Sequence, residues 1–192
     1  RIIHSGRPAN GLKPLINRKT GFGILLLSSY AYLIEFIGLK TGWPYGHFEY
    51  LVELGPMIYG VPLGLPIFFI PLVVNSYLLV NLLKTHSFFK RTFFTLIIIL
   101  LIDLVLDPAA VSLGIWSYGE GFFYNVPLSN FAGWVISGTI AVLIMEFSFD
   151  LEDLRSRLNE KEYILDDMVS FVFLWGIINL YYGNIVPVSI SV

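Results

Sequence analysis

The stretch TFFTLIIILLIDLVLDPAAVSL, Thr92 to Leu113, decides the fold. It is nearly continuous in apolar residues, interrupted by two carboxyls and a proline. A hydrocarbon layer of roughly 30 Å needs about 20 such residues in a helix to cross it. The uninterrupted run Leu96 to Ile102 makes this the clearest span of the chain. Outward from it, similar blocks run from Gly21 to Leu39, Val61 to Leu83, Asn130 to Phe149 and Met168 to about Ile190. The chain is 56% hydrophobic and 14% charged, and its apolar residues come in blocks rather than the spaced stripes of soluble amphipathic helices. The expectation is an all-α, polytopic transmembrane helical bundle of at least five spans, forming one integral membrane domain over residues 1–192. Pro62, Pro66 and Pro71 predict irregular first turns in the second span. The chain begins at Arg1, and the stretch to Thr20 lacks the apolar core of a signal peptide, so the span count is a minimum that leaves room for an upstream helix.

Charge and composition narrow the function. A net charge of -2 provides no basic field for nucleic acid. The absence of cysteine excludes disulfides, thiolate metal sites and cysteine nucleophiles within these residues. His47 and His86 have no second histidine at a metal-binding spacing, so both are read as interfacial and no metal site is expected. Basic residues cluster in three places: Arg1, Arg7, Lys13, Arg18 and Lys19 before the first span; Lys84, Lys90 and Arg91 between the second and third; Arg155, Arg157 and Lys161 between the fourth and fifth. Such clusters favour the cytoplasmic side of a cell membrane. The mixed-charge run Asp150 to Asp167 fits a short cytoplasmic surface helix. The other connections, Lys40 to Gly60 and Gly114 to Ser129, hold Lys40 as their single cation and are crowded with Gly, Pro and aromatic residues. They fit either an interfacial aromatic belt or a pair of caps over a pocket.

Ionisable side chains inside a span are costly to bury and require a partner or a function. Glu35, Asp103 and Asp107 all fall in the half of the membrane opposite the basic clusters. Asp103 and Asp107 are one helical turn apart on the same face, where two carboxyls in a low-dielectric setting cannot both ionise cheaply and retain a proton between them. Pro108 displaces the carbonyl of Leu104 from its helical bond, so the helix is expected to kink or end there and leave a polar nest able to hold water. The competing reading is that these acids only bond neighbouring helices or reach the hydrated interface. Glu146, near the basic end of the fourth span, is read as structural, and its amide variant as nearly silent. Glu49, Glu53 and Glu120 are read as solvated.

The segment Glu35-Phe-Ile-Gly38-Leu-Lys-Thr41-Gly42-Trp43-Pro44-Tyr45-Gly46-His-Phe-Glu-Tyr50 resembles a signature of the carotenoid hydratase family. Leu54-Gly55-Pro56, Gly60-Val61-Pro62-Leu63, Asp103-Leu-Val-Leu-Asp107-Pro108, Gly114-Ile-Trp116 and Asn130-Phe-Ala-Gly133-Trp134 continue it in order, over about half the chain. Two departures, Tyr118 where a second tryptophan is frequent and the tryptophan-free stretch Pro66 to Pro71, bear on which substrate the site accepts. The resemblance implies hydration of the terminal isopropylidene group of an acyclic carotenoid to a tertiary alcohol, without a redox cofactor. It also implies a polyene substrate held in the lipid bilayer and association with other membrane enzymes of carotenoid biosynthesis. On this reading Asp103 and Asp107 serve as proton donor and water-positioning base, in either order, with Glu35 tuning the pair or replacing one member. Trp43, Tyr45, Tyr50, Trp116, Tyr118, Tyr124 and Trp134 are candidate pocket walls, and Asn130 is a candidate to orient a carboxyl or water.

Two rival classes stand beside this one. Asp-x-x-x-Asp in a membrane helix also occurs in membrane prenyltransferases, but diphosphate recognition needs basic residues near the acids and a second aspartate-rich motif. Buried acids and proline-broken helices also suit a small proton-coupled transporter, although no internal repeat supports that reading.

Overall fold

Each apolar block folds as a helix in the order its hydropathy predicts. The computed structural model describes residues 18–83, 87–151 and 163–192. Helix α1 spans Arg18–Thr41, α2 Leu65–Leu82, α3 Phe88–Ser112, α4 Leu128–Ser148, α5 Tyr163–Tyr182 and α6 Ile185–Ser191. The first four are long and apolar enough to cross a membrane, whereas the apolar helix at Asp167–Tyr182 is shorter. Arg1, Arg7, Lys13, Lys84, His86, Arg155, Arg157, Lys161 and most of the Asp150 to Asp167 run lie outside the described residues.

Three differences from the sequence reading have local causes. The second span starts at Leu65 because Val61–Pro62 forms a short strand and Pro66 sits in the first helical turn, where its missing N–H costs nothing. The third helix does not end at Pro108 but runs to Ser112. Side-chain amides of Asn179 and Asn184 bind the carbonyls of Val105 and Pro108, supplying polar contacts where the proline weakens the helical ladder. The block Met168 to Ile190 is not one continuous span. Gly183, at φ 75°, takes the left-handed position after α5, and the short α6 folds back so that Ser191 lies against Gly176.

Helix α3 is the axis of the bundle, packing against α2, α4, α5 and α6, while α1 closes the far side against α2 and α4. Leu27 and Ala31 of α1, Val73 and Tyr77 of α2, Ile99 of α3 and Val142 and Met145 of α4 build the buried core. At one end of this core Arg91 of α3 meets Glu146 of α4 through two 2.6 Å hydrogen bonds, and the Tyr77 hydroxyl adds a third at 3.1 Å. Arg91, expected in the connection between the second and third spans, is therefore a buried ion-pair partner inside α3. Lys19 and Lys90 are exposed at this same end.

The opposite end is covered by the two aromatic connections. They contain four two-residue strands: β1 Glu49–Tyr50, β2 Met57–Ile58, β3 Val61–Pro62 and β4 Trp116–Ser117. Strands β2 and β3 form a hairpin whose turn residues Tyr59 and Gly60 both have positive φ, as tight hairpins require. Strands β1 and β4 pair Tyr50 with Trp116 and so tie the first connection to the second. The first connection also lies flat on α4 at Gly133, where a Cβ would come within 2.5 Å of the Tyr45 ring and 2.9 Å of the Pro44 carbonyl. Both readings of the aromatic residues apply in part. Tyr45 and Phe48 turn inward, whereas Tyr59 and Phe122 stay exposed at 78% and 81%.

Candidate active site

Beneath the paired connections lies an apolar cavity of about 160 Å³, enclosed by α1, α2, α3, α4, α5 and both aromatic connections. Its polar floor is made by four elements. Helix α1 contributes Glu35, α3 contributes Asp107, α4 contributes Asn130, and the second connection contributes Tyr118. The walls are Tyr45, Phe48, Tyr50, Phe69, Trp116, Trp134, Phe171 and Trp175, with aliphatic residues between them.

Asn130 organises the floor. A carboxylate can only accept hydrogen bonds, so the amide turns its NH2 toward the two aspartates, at 3.0 Å from Asp103 Oδ2 and 2.5 Å from Asp107 Oδ2. Its carbonyl oxygen is left facing the Tyr118 hydroxyl at 3.0 Å, and that hydroxyl is also 3.0 Å from Asp107 Oδ2. Tyr118 has one proton and therefore donates to one of these oxygens at a time. When it donates to Asn130, a protonated Asp107 can donate to the phenol, and when Asp107 is ionised the phenol can donate back. The triangle of Asp107, Tyr118 and Asn130 thus accommodates Asp107 in either protonation state. A tryptophan at position 118 could donate but not accept, so the tyrosine is chemically distinct from the residue frequent in the resembling family.

Among the described residues Glu35 receives one hydrogen bond, from the Tyr50 hydroxyl at 2.5 Å. Tyr50 and Tyr118 both lie in the connections. Burial raises the pKa of each well above the ordinary phenol range, with the charge of Glu35 adding to the effect at Tyr50 and that of Asp107 at Tyr118. Both remain neutral hydrogen-bond donors across the physiological range.

The two aspartates are not equivalent. Asp103, fully buried, does not line the cavity and reaches the site through Asn130. Asp107 and Glu35 are the carboxyls that face the cavity. Of the walls expected from sequence, Tyr45, Tyr50, Trp116, Tyr118 and Trp134 line it and Trp43 and Tyr124 do not. Trp43 follows the positive-φ Gly42 and turns out to the surface, where it is 53% exposed. The Tyr124 hydroxyl instead accepts a 3.2 Å bond from the backbone N–H of Val186 at the start of α6.

Phe171 and Trp175 were not among the expected walls. Their four-residue spacing puts two aromatic rings on one face of α5, a signal weakened by the many other apolar residues around that helix. The Trp134 ring stacks on Phe69 at 5.6 Å, and Tyr50 meets Trp116 edge-on at 6.3 Å, so the walls present both ring faces and ring edges. The indole N–H groups of Trp116 and Trp175 are buried and find no partner among the described residues. Among the described residues no group of three His, Asp or Glu side chains is placed to hold a metal ion.

The comparisons with known proteins point the same way. A protein of Haloarcula japonica named bisanhydrobacterioruberin hydratase is 51% identical over 185 residues, which is 94% of this chain and 63% of that protein. The present chain thus spans less than two thirds of its relative's length. No solved structure matches it. The sequence pattern of one family covers residues 9–192, and with it the whole site from Glu35 to Trp175: the chain belongs to the carotenoid biosynthesis protein family.

Proposed function

We propose that the chain hydrates the terminal isopropylidene double bond of an acyclic carotenoid, as a hydro-lyase that needs no redox cofactor. The observation that carries this reading is the pair of carboxyls, Glu35 and Asp107, facing one apolar cavity walled by aromatic rings. The name of the Haloarcula japonica relative supports it. Two donors converge on Asp107 Oδ2, which suits this carboxyl to hold negative charge and accept a proton, whereas among the described residues Glu35 has one donor, Tyr50.

In the proposed reaction Glu35 protonates the CH carbon of the double bond and becomes a carboxylate. The positive charge settles on the carbon bearing two methyl groups, where the faces of Trp134, Tyr50 and Trp116 stabilise it. Water attacks that carbon, and Asp107 takes and keeps the proton released as the C–O bond forms, its new O–H donating to the Tyr118 oxygen while the phenol turns to donate to Asn130 Oδ1. The balance is alkene plus water to tertiary alcohol. A return of that proton to Glu35, through water in the cavity, completes the cycle. The unpartnered indole N–H groups of Trp116 and Trp175 are donors available to a water or alcohol oxygen. The cavity is small beside the ligand pockets of roughly 300–1,000 Å³ that enclose whole drug-sized molecules, which suits a substrate that inserts only its tip and leaves its body in the bilayer.

Purified protein incubated with acyclic carotenoids in heavy-oxygen water is expected to yield alcohols carrying one heavy oxygen per hydrated end, read by mass spectrometry. Substrate recovered unchanged under conditions where the protein stays folded would remove the hydratase reading. Magnesium-dependent consumption of a prenyl diphosphate would put the prenyltransferase in its place.

We also propose that the end bearing Lys19 and Lys90 faces the cytoplasm and the aromatic connections face the other side. These residues contain no cysteine, so single cysteines report cleanly. A cysteine at Lys90 is expected to react only with reagent on the cytoplasmic side, and one at Glu120 only from the opposite side. Reversed labelling would invert the orientation and leave the site unchanged.

A further inference from the structure

The turn of α3 that carries Asp107 is held from two sides. In front, Asn130 and Tyr118 hold the carboxyl. Behind it, the end of α5 holds the backbone. Asn179 Nδ2 donates to the carbonyl of Val105 at 2.7 Å, two residues before Asp107. Asn184 Nδ2 donates to Ser112 Oγ at 3.0 Å and lies 3.5 Å from the carbonyl of Pro108, the residue after Asp107. Ser112 Oγ donates to that same Pro108 carbonyl at 2.7 Å. Asn184 also donates to Asn179 Oδ1 at 2.9 Å, joining the two amides into one unit.

The backbone of α5 is shaped to present this unit. Gly183 N–H bonds the carbonyl of Leu180 at 3.2 Å and Asn184 N–H bonds that of Asn179 at 2.9 Å, the paired bonds of a Schellman ending. Such an ending needs a left-handed residue, and Gly183 supplies it. It brings Asn184 around to lie beside Asn179 under α3, with the two residues 7% and 0% exposed.

Pro108 gives this arrangement its purpose. A proline inside a helix removes one hydrogen bond and pushes the carbonyl four residues back out of line, so the turn bearing Asp107 is the least determined part of α3. A proton-transferring carboxyl has to be held to within about 0.5 Å of its working position. Resting on the hydratase reading above, we propose that Asn179, Asn184 and Ser112 are positioning residues that hold the proline-weakened turn of α3 so that Asp107 faces the substrate. None of the three lines the cavity; they act through the backbone on either side of Asp107, and Asn179 Nδ2 also bonds the carbonyl of Trp175, one turn back on its own helix, at 2.9 Å.

The test compares the wild type with Asn179→Leu, Ser112→Ala and Ser112→Thr, each assayed per amount of folded, detergent-extracted protein. Leucine is close to asparagine in shape but cannot donate, alanine deletes the hydroxyl, and threonine keeps it. Asn179→Leu and Ser112→Ala are expected to lose about 10- to 100-fold in kcat, the scale on which an ångström of misplacement acts. Their KM should stay within about threefold, since no wall side chain is replaced and the Trp175 carbonyl that Asn179 also contacts lies within a continuous helix, and Ser112→Thr should recover kcat to within about threefold of the wild type. Normal kcat per folded molecule in the leucine and alanine variants would overturn the proposal. So would a loss confined to KM, or a loss at Ser112 that threonine does not rescue.

An infrared measurement separates this proposal from the hydratase reading. In protein labelled with carbon-13 aspartate, the Asp107 carboxyl band is identified by its disappearance in Asp107→Asn. It is expected to shift in Ser112→Ala and to return in Ser112→Thr. If the wild type forms no alcohol, the hydratase reading fails, while this band still decides the positioning claim: a shift upholds it and an unchanged band overturns it.

Discussion

An Asp107→Asn variant should insert and fold normally yet lose about 10³-fold in hydration, within the range that general acid–base groups contribute. The side chain faces the cavity, and its Oδ2 is the point at which Asn130 and Tyr118 converge. An amide oxygen can accept both of those hydrogen bonds, so the floor of the site keeps its shape. It cannot take a proton from attacking water near neutral pH, so the chemistry stops. Glu35→Gln is expected to cost about as much, because it removes the proton given to the alkene. Asp103→Asn should cost only about 10-fold, since Asp103 acts through Asn130 and an amide can preserve that contact. This order departs from the sequence reading, which set Asp103 and Asp107 side by side and gave Glu35 a lesser or equal part. Alcohol formed per milligram of folded, detergent-extracted variant is the measurement. Near-normal turnover in Asp107→Asn would end the mechanism as written.

The largest effect on stability is expected at the other end of the bundle. Glu146→Gln should destabilise the protein by about 1.5–3 kcal/mol, the scale of a lost hydrogen bond to a charged group in a partly buried pair. Glu146 binds Arg91 through both carboxylate oxygens at 2.6 Å, and the two side chains are 16% and 7% exposed. Glutamine retains one acceptor oxygen but removes the carboxylate charge that faces the guanidinium through two hydrogen bonds. The Tyr77 hydroxyl, itself buried, bonds the same carboxylate, so the loss extends to α2. Replacing both partners with apolar residues, Arg91→Met with Glu146→Leu, should recover part of the stability, because the two charges of this pair are then removed together. Thermal unfolding in detergent reads both variants. A Glu146→Gln protein as stable as the wild type would show that water reaches this pair freely. The sequence alone read Glu146 as structural, its amide nearly silent in hydration, and Arg91 as a connecting cation, but could not name their pairing, because nothing local links two residues on different helices.

Properties set by neighbours along the chain are legible in the sequence itself. The length of an apolar block is counted residue by residue, so the order and type of the helices follow from it, with ends displaced by a few residues where Pro62, Pro66 or Gly183 intervenes. The four-residue spacing of Asp103 and Asp107 puts both carboxyls on α3, and the Gly- and aromatic-rich connections mark the end of the bundle that holds the cavity. Only the tertiary structure decided which side each helix shows to its neighbours. A helix in lipid is apolar all round, so its composition carries no stripe to give its rotation, unlike a soluble amphipathic helix. Hence the sequence could name Glu35, Asp103 and Asp107 but not show that Asp103 stands behind Asn130 while the other two face the cavity. The same cause hid Phe171 and Trp175 as walls, let Trp43 and Tyr124 pass for walls, and left unseen the asparagines of α5 and its turn that grip the backbone around Asp107. Those assignments depend on rotation and depth between helices far apart in sequence, and packing is what sets both.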